Sequence, residues 1–420
     1  LEDPDDSDIQ VTGDNVYSSA STFEDLSLSK ELIQGLYVEM RFKSPSKIQA
    51  VTLPMILTPP YKDLVAQAHN GSGKTTCFVL GMLSRVDPSK KIPQAICICP
   101  TRELAQQNLE VLKKMGKFTG ITAVCAIPSD SAHYTPVKRM PPVTDQVVIG
   151  TPGTVKRWMS EKKLAMREVK ILVFDEADHM LAEDGFKDDS DRIMREIRRS
   201  SNRCQVLLFS ATFNETVKAF VSKVITEGNQ IFVKKEDLSL DKVKQYKVFC
   251  PDELAKLEVI KTKIFEFGEK VGQTIIFVRT RNSASMLHKT LKNEGYECTS
   301  IQGTLRQEDR EQVIREFKDG YTKVLITTDI LARGFDQAQV NLVINFDLPV
   351  KHNTEPDYET YLHRIGRAGR FGRKGAAFNM MSSDWDRKIV EKIEDNFKHP
   401  IPEVGDSEKD FESALKDAGL

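Results

Sequence analysis

The chain carries the stretch Ile-Leu-Val-Phe-Asp-Glu-Ala-Asp at residues 171–178. Its first four side chains are apolar, and a run of this length predicts a buried strand of a parallel sheet. Two acids, Asp175 and Glu176, follow directly, so they would lie at the carboxyl end of that strand. Carboxylates placed there can hold a magnesium ion and activate a water molecule against a phosphate. The alternative is that these acids only begin the next helix, because acidic residues favour a first helical turn.

A glycine-rich loop about a hundred residues earlier supplies a matching phosphate site. The loop consists of Ala68, His69, Asn70, Gly71, Ser72, Gly73, Lys74 and Thr75. It follows the apolar residues 64–67 and precedes a predicted helix at 76–86. Its glycines let backbone N–H groups converge on a polyanion, Lys74 can reach the outer phosphates, and the Thr75 hydroxyl can ligate magnesium. A glycine-rich surface turn is the alternative, and Ala68 stands where the general pattern has glycine.

The composition is typical of a globular protein, and the net charge is too small to create a strong overall electrostatic field. Its 420 residues suffice for two or three domains, and 40% hydrophobic with 29% charged residues is ordinary for globular proteins. The formal net charge is -1, so a nucleic-acid partner would have to be bound by local basic patches. No apolar run is long enough to span a membrane, and the acidic start does not resemble a signal peptide, which predicts an intracellular protein. Seven scattered cysteines favour a reducing compartment and lack the paired spacing of a zinc site.

Both halves of the chain alternate strands with helices. Strands are predicted at 64–68, 95–99, 147–150, 171–174 and 206–209, and then at 274–278, 323–328 and 342–346. Helices in the second half are predicted at 282–294, 307–318, 384–397 and 408–418, the last two closing the second core. This alternation predicts parallel sheets covered by helices on both faces. The polar stretch 234–242 predicts a linker. The second half lacks a phosphate loop, so one nucleotide site would serve both halves.

The densest chemistry of the second half is the sequence Tyr-Leu-His-Arg-Ile-Gly-Arg-Ala-Gly-Arg at residues 361–370. Its arginines recur every third residue on a predicted helix start. Arginine is permanently charged and can bridge phosphate oxygens with two hydrogen bonds, which suits stabilisation of a transition state. If Arg367 and Arg370 contact the γ-phosphate, hydrolysis requires the two halves to close. A solvated basic helix face, or a localisation signal continuing through Arg373 and Lys374, is the alternative.

From residue 23 to about residue 397, these motifs and several others occur in one order, and the chain resembles the DEAD-box ATP-dependent RNA helicases of superfamily 2. The resemblance implies an α/β fold with two RecA-like parallel-sheet domains in tandem, joined by a short linker. The expected divisions are an N-terminal extension (1–22), RecA-like domain 1 (23–233), a linker (234–243), RecA-like domain 2 (244–398) and a C-terminal extension (399–420).

The resemblance also implies ATP and Mg²⁺ as cofactors and assigns roles to residues. Phe42 would stack on adenine and Gln49 would bind its edge, because an amide supplies both a donor and an acceptor. Asp175 would organise magnesium, Glu176 would polarise the attacking water, and Asp336 would contact the ribose. The catalytic set would be Lys74, Asp175, Glu176, Arg367 and Arg370. The nucleotide set would be Phe42, Gln49, Ala68, His69, Asn70, Gly71, Ser72, Gly73, Lys74, Thr75, Asp336, Arg367 and Arg370. Metal ligands would be Thr75 and Asp175, and coupling residues Ser210, Thr212, Asp178 and His363.

RNA binding is implied for small and hydroxylated residues at strand ends, which suit contacts to phosphates and 2′-hydroxyls. The implied residues are Pro100, Thr101, Arg102, Thr151, Pro152, Gly153, Gly303, Arg310, Thr328 and Asp329. Two departures from the family pattern stand out. A glycine pair is missing at 126–130, and Thr154 replaces a common arginine, so one backbone contact and one phosphate contact to RNA are in doubt.

Three features resemble the mRNA-export branch of the family: Phe335, the insertion 351–357 and the opening 16–23. That branch implies remodelling of mRNA–protein complexes in export from the nucleus. Implied partners are single-stranded RNA, a nuclear-pore filament nucleoporin and an inositol-phosphate-bound activator. The resemblance further implies a monomeric protein that is found in the cytoplasm and the nucleus, including the cytoplasmic face of the nuclear pore. Two alternatives share the same site residues: a translation-initiation helicase, and an ATP-dependent RNA clamp acting as a structural ribonucleoprotein core.

Overall fold

The computed structural model describes residues 9–12, 17–67, 72–128, 136–182, 185–201, 204–225, 228–233, 243–266, 271–301, 305–329, 337–351, 355–369, 374–405 and 407–420. The chain forms two compact units, Asp3–Lys234 and Lys235–Leu420. Residues 234–242 of the predicted linker lie outside the described residues. Val243, which we assigned to that linker, is instead the first residue of a strand, because it pairs with Gly375 in the second sheet.

The first unit is built on an eight-stranded sheet. Its strands are Ile9–Thr12 (β1), Asp63–Gln67 (β2), Ala95–Ile98 (β3), Ala123–Ala126 (β4), Val147–Gly150 (β5), Ile171–Phe174 (β6), Gln205–Ser210 (β7) and Gly228–Val233 (β8). The strand order is β1-β8-β2-β7-β6-β3-β5-β4, and only β1 runs antiparallel to its neighbour. Ile98, Phe174 and Leu208 lie side by side in register. The carboxyl ends of β3, β6 and β7 therefore meet at one edge of the sheet.

Helices cover both faces of the first sheet. They are Lys30–Gln34 (α1), Lys47–Leu57 (α2), Lys74–Arg85 (α3), Arg102–Met115 (α4), Pro152–Ser160 (α5), Ala177–Ala182 (α6), Phe186–Ser200 (α7) and Glu215–Val224 (α8). Because side chains alternate along a strand, Ile171 and Val173 of β6 join the core under α1–α4, whereas Leu172 and Phe174 join the core under α5–α8. A strand buried on both faces has to be apolar throughout, which explains the unbroken apolar run at 171–174.

The second unit repeats this architecture with a six-stranded parallel sheet. Its strands are Val243–Phe249 (β9), Gln273–Phe277 (β10), Cys298–Ile301 (β11), Val324–Thr327 (β12), Val340–Asn345 (β13) and Gly375–Met381 (β16), and Val350–Lys351 (β14) pairs with Glu355–Pro356 (β15) as a separate two-stranded ladder. Its helices are Glu253–Val259 (α9), Arg281–Asn293 (α10), Gln307–Lys318 (α11), Tyr358–Ile365 (α12), Asp384–Phe397 (α13) and Glu408–Asp417 (α14). The sheet order is β11-β12-β10-β13-β16-β9.

Two cores stabilise the second unit, one on each face of its sheet. Ile276 of β10 lies in the core that contains Phe411 and Leu415 of α14, and Ile275 lies in the core under α11–α13. The prediction that the helices at 384–397 and 408–418 close the second core is therefore confirmed. No helix in the described part of the chain has the length and apolarity that crossing a lipid bilayer requires.

The prediction of two parallel α/β units is confirmed, but six strands of the two sheets were not predicted. They are β1, β4, β8, β9, β11 and β16. These strands are short or interrupted by polar residues, as β9 is at Lys244 and Gln245. One helix prediction was wrong. The arginine segment 361–370 does not begin a helix, because α12 begins at Tyr358 behind the capping side chain of Asp357 and ends at Ile365.

Asp63, at the start of β2, makes the stability of the first unit depend on pH. Burial raises the pKa of its carboxyl to about 6, although the hydrogen bond from the Val206 N–H at 2.7 Å and the charge of Arg198 both act to lower that pKa. The folded chain therefore holds this proton to a higher pH than the unfolded chain. The stabilising contribution is complete below about pH 4 and is lost as the pH rises through 6.

We expect Asp63→Asn to raise the free energy of unfolding by about 1–2 kcal/mol near pH 7.5 and by much less near pH 4.5. The asparagine keeps an acceptor for Val206 but carries no charge to desolvate. Urea unfolding at the two pH values measures this, with the exposed Asp188→Asn in the same unit as the control. An equal gain at both pH values would contradict the titration argument.

Candidate active site at the carboxyl edge of the first sheet

The phosphate loop ends on the first residues of α3. Residues 68–71, and with them the predicted contacts of Ala68, His69, Asn70 and Gly71, lie outside the described residues. Gly73 has φ +97°, and a Cβ there would lie 2.4 Å from Nε2 of Gln49, so only glycine fits without displacing that amide. Lys74 is buried and Thr75 half-buried in the first turn of α3. The helix N-terminus, with its positive end of the dipole, therefore begins directly at the loop.

Gln49 connects the start of α2 to the phosphate loop. Its Nε2 donates to the carbonyl of Gly73 at 3.3 Å, and its Oε1 accepts from the Ser46 N–H at 3.0 Å. The Ser46 hydroxyl donates to the carbonyl of Ser72 at 3.0 Å. An amide has two hydrogens and two lone pairs, so, counting only partners in the described parts of the chain, each end of Gln49 keeps one further hydrogen bond to offer a base. Phe42 lies close by in sequence, with its ring stacked on that of Phe23 at 6.3 Å.

Asp175 continues β6 by one residue, because its N–H donates to the carbonyl of Ile98 at 3.0 Å. Both carboxylate oxygens are held: Oδ1 accepts from the Glu176 N–H at 3.0 Å, and Oδ2 accepts from Nδ2 of Asn108 at 2.8 Å. Burial raises the pKa of this carboxyl, and the Asn108 hydrogen bond and the charge of Lys74 act in the opposite direction. The charge of the lysine that begins α3 therefore acts on the acid that follows β6.

Glu176 has an unusual backbone conformation. Its φ is +50°, in the left-handed region that costs a non-glycine residue of order 1–3 kcal/mol, and α6 begins only at the next residue. The side chain is buried, and its Oε2 has no hydrogen-bond partner among the residues that the structure describes. A strained residue presenting an unsatisfied carboxylate oxygen is the pattern of a functional acid rather than of a helix cap.

Oxygen donors dominate this edge of the sheet, and they suit magnesium. Mg²⁺ prefers oxygen ligands and in nucleotide sites is bound through one or two carboxylates, a hydroxyl and phosphate oxygens, with several waters retained. Asp175 and Thr75 supply such oxygens, and the next residue, Glu176, carries an Oε2 to which no described residue hydrogen-bonds. The residues present therefore fit the metal that the sequence predicts.

Ser210 and Thr212, at the end of β7, are bonded to the acidic segment. The Asp178 N–H donates to Oγ of Ser210 at 3.3 Å. Oδ2 of Asp178 accepts from the Thr212 N–H at 3.1 Å and from its hydroxyl at 2.8 Å. The Ser210 hydroxyl donates to the carbonyl of Thr212 at 2.7 Å, which closes the network. A displacement of the segment after β7 would therefore act directly on α6.

The candidate RNA residues of the first unit follow the ends of β3 and β5. Thr101 caps α4, accepting from the Leu104 N–H at 3.2 Å, and Arg102 is its first residue. Thr151 precedes α5, which begins at Pro152. Pro100, Pro152 and Thr151 are largely buried, whereas Arg102 and Gly153 are partly accessible. The structure thus brings both segments to the same sheet edge as Asp175.

In the second unit, the segment 361–370 is anchored by the buried side chain of Arg364. Arg364 is 1% exposed; its Nε donates to Oδ1 of Asp329 at 2.6 Å, and its Nη1 donates to Oδ1 of Asn345 at 3.1 Å and to the carbonyl of Asp347 at 2.7 Å. Asp329 is 51% exposed, so its outer part remains accessible. It follows Thr328 after β12. Arg364 therefore fixes a predicted RNA residue to α12.

Arg367 lies just past the end of α12. It is buried, and its Nε donates to the carbonyl of His363, itself fully buried, at 3.0 Å. Arg310 lies on α11, separate from these residues in sequence. Three further predicted site residues of this unit, Gly303, Asp336 and Arg370, lie outside the described residues.

Comparison with known proteins assigns the family. Residues 46–220 match the family described as DEAD/DEAH box helicase, and residues 255–372 match the helicase conserved C-terminal domain. The sequence is 68% identical over 426 residues to DEAD-box ATP-dependent RNA helicase 38 of Oryza sativa subsp. japonica, an alignment that covers 100% of this chain and 84% of that relative. The chain belongs to the DEAD-box ATP-dependent RNA helicases.

Solved structures agree with this family. S. cerevisiae Dbp5 bound to RNA and ADP BeF3 is 39% identical, with a TM-score of 0.87 over 95% of this DEAD-box chain and 100% of that chain. A Dbp5 variant bound to Nup159, a Gle1 variant, IP6 and ADP is 37% identical, with a TM-score of 0.66 over 93% and 99% of the two chains. The two parallel-sheet units of this DEAD-box helicase are therefore RecA-like, and the expected resemblance to the mRNA-export branch of the family is confirmed.

Sequence reasoning missed two residues of this DEAD-box helicase that touch predicted site residues, Asn108 and Arg364. A signal for Asn108 existed, because it falls on the apolar stripe of α4, between Leu104 and Leu112, where a polar side chain is unusual. Arg364 lies in the segment 361–370, but a helix predicted to start within that segment gave no reason to assign Arg364 a different role from Arg367. Its burial and its hydrogen bonds to Asp329, Asn345 and Asp347 indicate a structural role.

We expect Arg364→Lys to destabilise the second unit of this DEAD-box helicase by about 2–4 kcal/mol. A lysine keeps the charge but cannot bond Asp329, Asn345 and Asp347 at once from a planar group. Guanidinium-induced unfolding measures the change. Arg387→Lys is the matched control, since Arg387 pairs with Glu403 at the surface, and such pairs contribute at most about 1 kcal/mol. Equal losses in the two variants would contradict the role assigned to Arg364.

Proposed function

We propose that this chain hydrolyses ATP to ADP and phosphate with RNA stimulation, and uses the cycle to remodel RNA or mRNA–protein complexes. One observation carries the proposal: after β6, Asp175 is fixed through both oxygens, while one carboxylate oxygen of the adjacent Glu176 has no hydrogen-bond partner within the ranges that the structure describes. A held acid next to an available one suits a pair in which the first orients a bound group and the second accepts a proton from water.

The proposed mechanism assigns each step to a residue of the chain. The backbone at the start of α3 and the Lys74 ammonium bind the phosphates, and Gln49 and Phe42 bind the base. Mg²⁺, held by Thr75 and Asp175, would neutralise charge on the phosphates. Glu176 orients and deprotonates the attacking water. Arg367 and Arg370 stabilise the charge of the transferred phosphoryl group, as arginine fingers do.

We further propose that Asp178, Ser210, Thr212 and His363 couple this chemistry to RNA. The hydrogen bonds that Asp178 makes with Ser210 and Thr212 support the proposal, because they join the acidic segment after β6 to the end of β7. RNA would be bound by the segments after β3 and β5 and by Thr328 and Asp329. Sequence-independent contacts to phosphates and 2′-hydroxyls suit these capped helix starts and strand ends.

The biological setting that we propose is mRNA export, in cytoplasm and nucleus and at the cytoplasmic face of the nuclear pore. Its support is the similarity to Dbp5, of which a variant has been solved bound to Nup159, a Gle1 variant and IP6. The corresponding partners of this chain would be a filament nucleoporin and an inositol-phosphate-bound activator. A pull-down with these two components, with and without inositol hexakisphosphate, tests this. Absence of both interactions would contradict the setting but not the ATPase.

An ATPase assay tests the activity itself. We expect multiple turnovers of phosphate release, stimulated by single-stranded RNA and not by DNA of the same sequence. A single slow round with RNA retained would instead support the ribonucleoprotein clamp, which needs the same ATP and RNA contacts. Equal stimulation by DNA would contradict the RNA assignment, because DNA lacks the 2′-hydroxyl.

A further inference from the structure

Asn108 is a polar side chain in an apolar place. It lies on α4 between the core residues Leu104 and Leu112 and is fully buried. Its Nδ2 donates to Oδ2 of Asp175 at 2.8 Å and contacts Sγ of Cys99 at 3.3 Å. Burying an amide costs free energy unless its groups are hydrogen-bonded, so the partners of Asn108 decide whether the position is favourable.

The orientation of the Asn108 amide follows from chemistry. An ionised carboxylate only accepts hydrogen bonds, so the NH₂ group must face Asp175; a flipped amide would set two oxygens against each other. Oδ1 is then left buried without a hydrogen-bond partner in the described part of the chain. Such an orphan acceptor costs about 1–3 kcal/mol. An apolar side chain would avoid that cost but would leave Oδ2 of the buried Asp175 without its side-chain donor, so the asparagine serves the carboxylate and not the core packing.

The hydrogen bond from Asn108 fixes the carboxylate of Asp175. Its Oδ1 is held by the backbone of the next residue, and Asn108 is the side chain that donates to its Oδ2 among the described residues. With both oxygens bonded, the carboxylate plane cannot rotate about its terminal bond. Outer partners that fix ligating carboxylates in this way typically contribute 10–100-fold to metal affinity.

We propose that Asn108 is a positioning residue for magnesium: it holds the Asp175 carboxylate in the orientation that would engage the ion. The inference rests on the proposed nucleotide site and extends it by one residue. Because Asn108 acts through Asp175 and not through the base or the phosphates, its removal should weaken nucleotide binding only when Mg²⁺ is present.

Nucleotide affinity with and without magnesium provides the test. A fluorescent ADP analogue is titrated into the full chain, once in EDTA and once in excess MgCl₂, and the ratio of the two dissociation constants gives the gain due to magnesium. We expect Asn108→Ala to reduce that gain by about tenfold or more, with the affinity in EDTA unchanged. Asn108→Leu, which also lacks the donor but fills the space, should behave alike and decides the matter if the alanine variant fails to fold.

Cys99→Ala is the matched control. It removes the other contact of Asn108 from the same buried cluster but leaves the bond to Asp175, so it should keep the wild-type gain. A wild-type gain in both Asn108 variants would overturn the inference and leave the proposed function intact. An equal loss in Cys99→Ala would overturn it too, because packing would then explain the effect. If the wild-type chain shows no gain from magnesium, the proposed nucleotide–metal site itself fails, and the inference with it.

Discussion

Replacing Glu176 with glutamine is expected to lower the RNA-stimulated ATPase rate by about 10²–10⁴-fold, the range typical of removing a general base. The amide keeps the size of the side chain and can still hydrogen-bond, but it cannot accept the proton of the attacking water. ATP binding should persist, because Lys74 and the start of α3 are untouched. Phosphate release under saturating ATP and RNA measures the first effect, and equilibrium binding of a fluorescent nucleotide measures the second.

Glu196→Gln is the control for that substitution. Glu196 lies on α7 of the same unit and contacts no predicted site residue among its described contacts, so its rate should match the wild type. The left-handed backbone of Glu176 is local to the acidic segment and is retained in the glutamine variant, since the change is confined to the end of the side chain. Phosphate release at the wild-type rate from Glu176→Gln would refute the assigned role of this carboxylate.

Arg367→Ala is expected to lower the same rate by about 10³–10⁵-fold, as measured for other arginine fingers. The guanidinium would no longer offset the charge of the transferred phosphoryl group, whereas the ATP contacts of the first unit remain. Since Arg367 is buried and its Nε bonds the His363 carbonyl, the alanine variant also needs a stability check by thermal unfolding.

Arg367→Lys separates catalysis from stability. Lysine keeps a buried positive charge but not the planar pair of donors, so it should hold the fold better than alanine and still lose most of the rate. Full activity in the lysine variant would show that charge alone suffices. Full activity in the alanine variant would remove Arg367 from the mechanism.

The sequence predicted the parts of this protein whose residues share one local pattern. The apolar strand at 171–174, the loop ending at Thr75 and the helix at 307–318 each carry a complete signal. The strand at 171–174 and the helix at 307–318 have the predicted bounds. Strands such as β9 and β16 were not predicted, because alternating polar residues or small residues weaken the apolar run. Their place is decided by pairing with distant strands, which no local window contains.

The same reason explains the two site residues that were missed. Asn108 and Asp175 are 67 residues apart, and Arg364 and Asp329 are 35 apart. Motif strings name the acid and the predicted RNA residue but not the side chains that orient them. Those partners become visible only when Asn108 of α4 reaches the residues that follow β3 and β6, and when α12 packs against β13. Burial of a polar side chain on an apolar helix face was the one local clue.

The hydrogen bond between Gln49 and the carbonyl of Gly73 would make base binding and phosphate binding depend on one another. If Gln49 binds adenine as proposed, its amide does so while hydrogen-bonded to the peptide that precedes α3. A nucleotide whose base mispairs with this amide would also disturb the grip on its own phosphates. Selection among nucleoside triphosphates should consequently appear in the turnover number as well as in the Michaelis constant, with guanine analogues failing at the chemical step even when they saturate the protein.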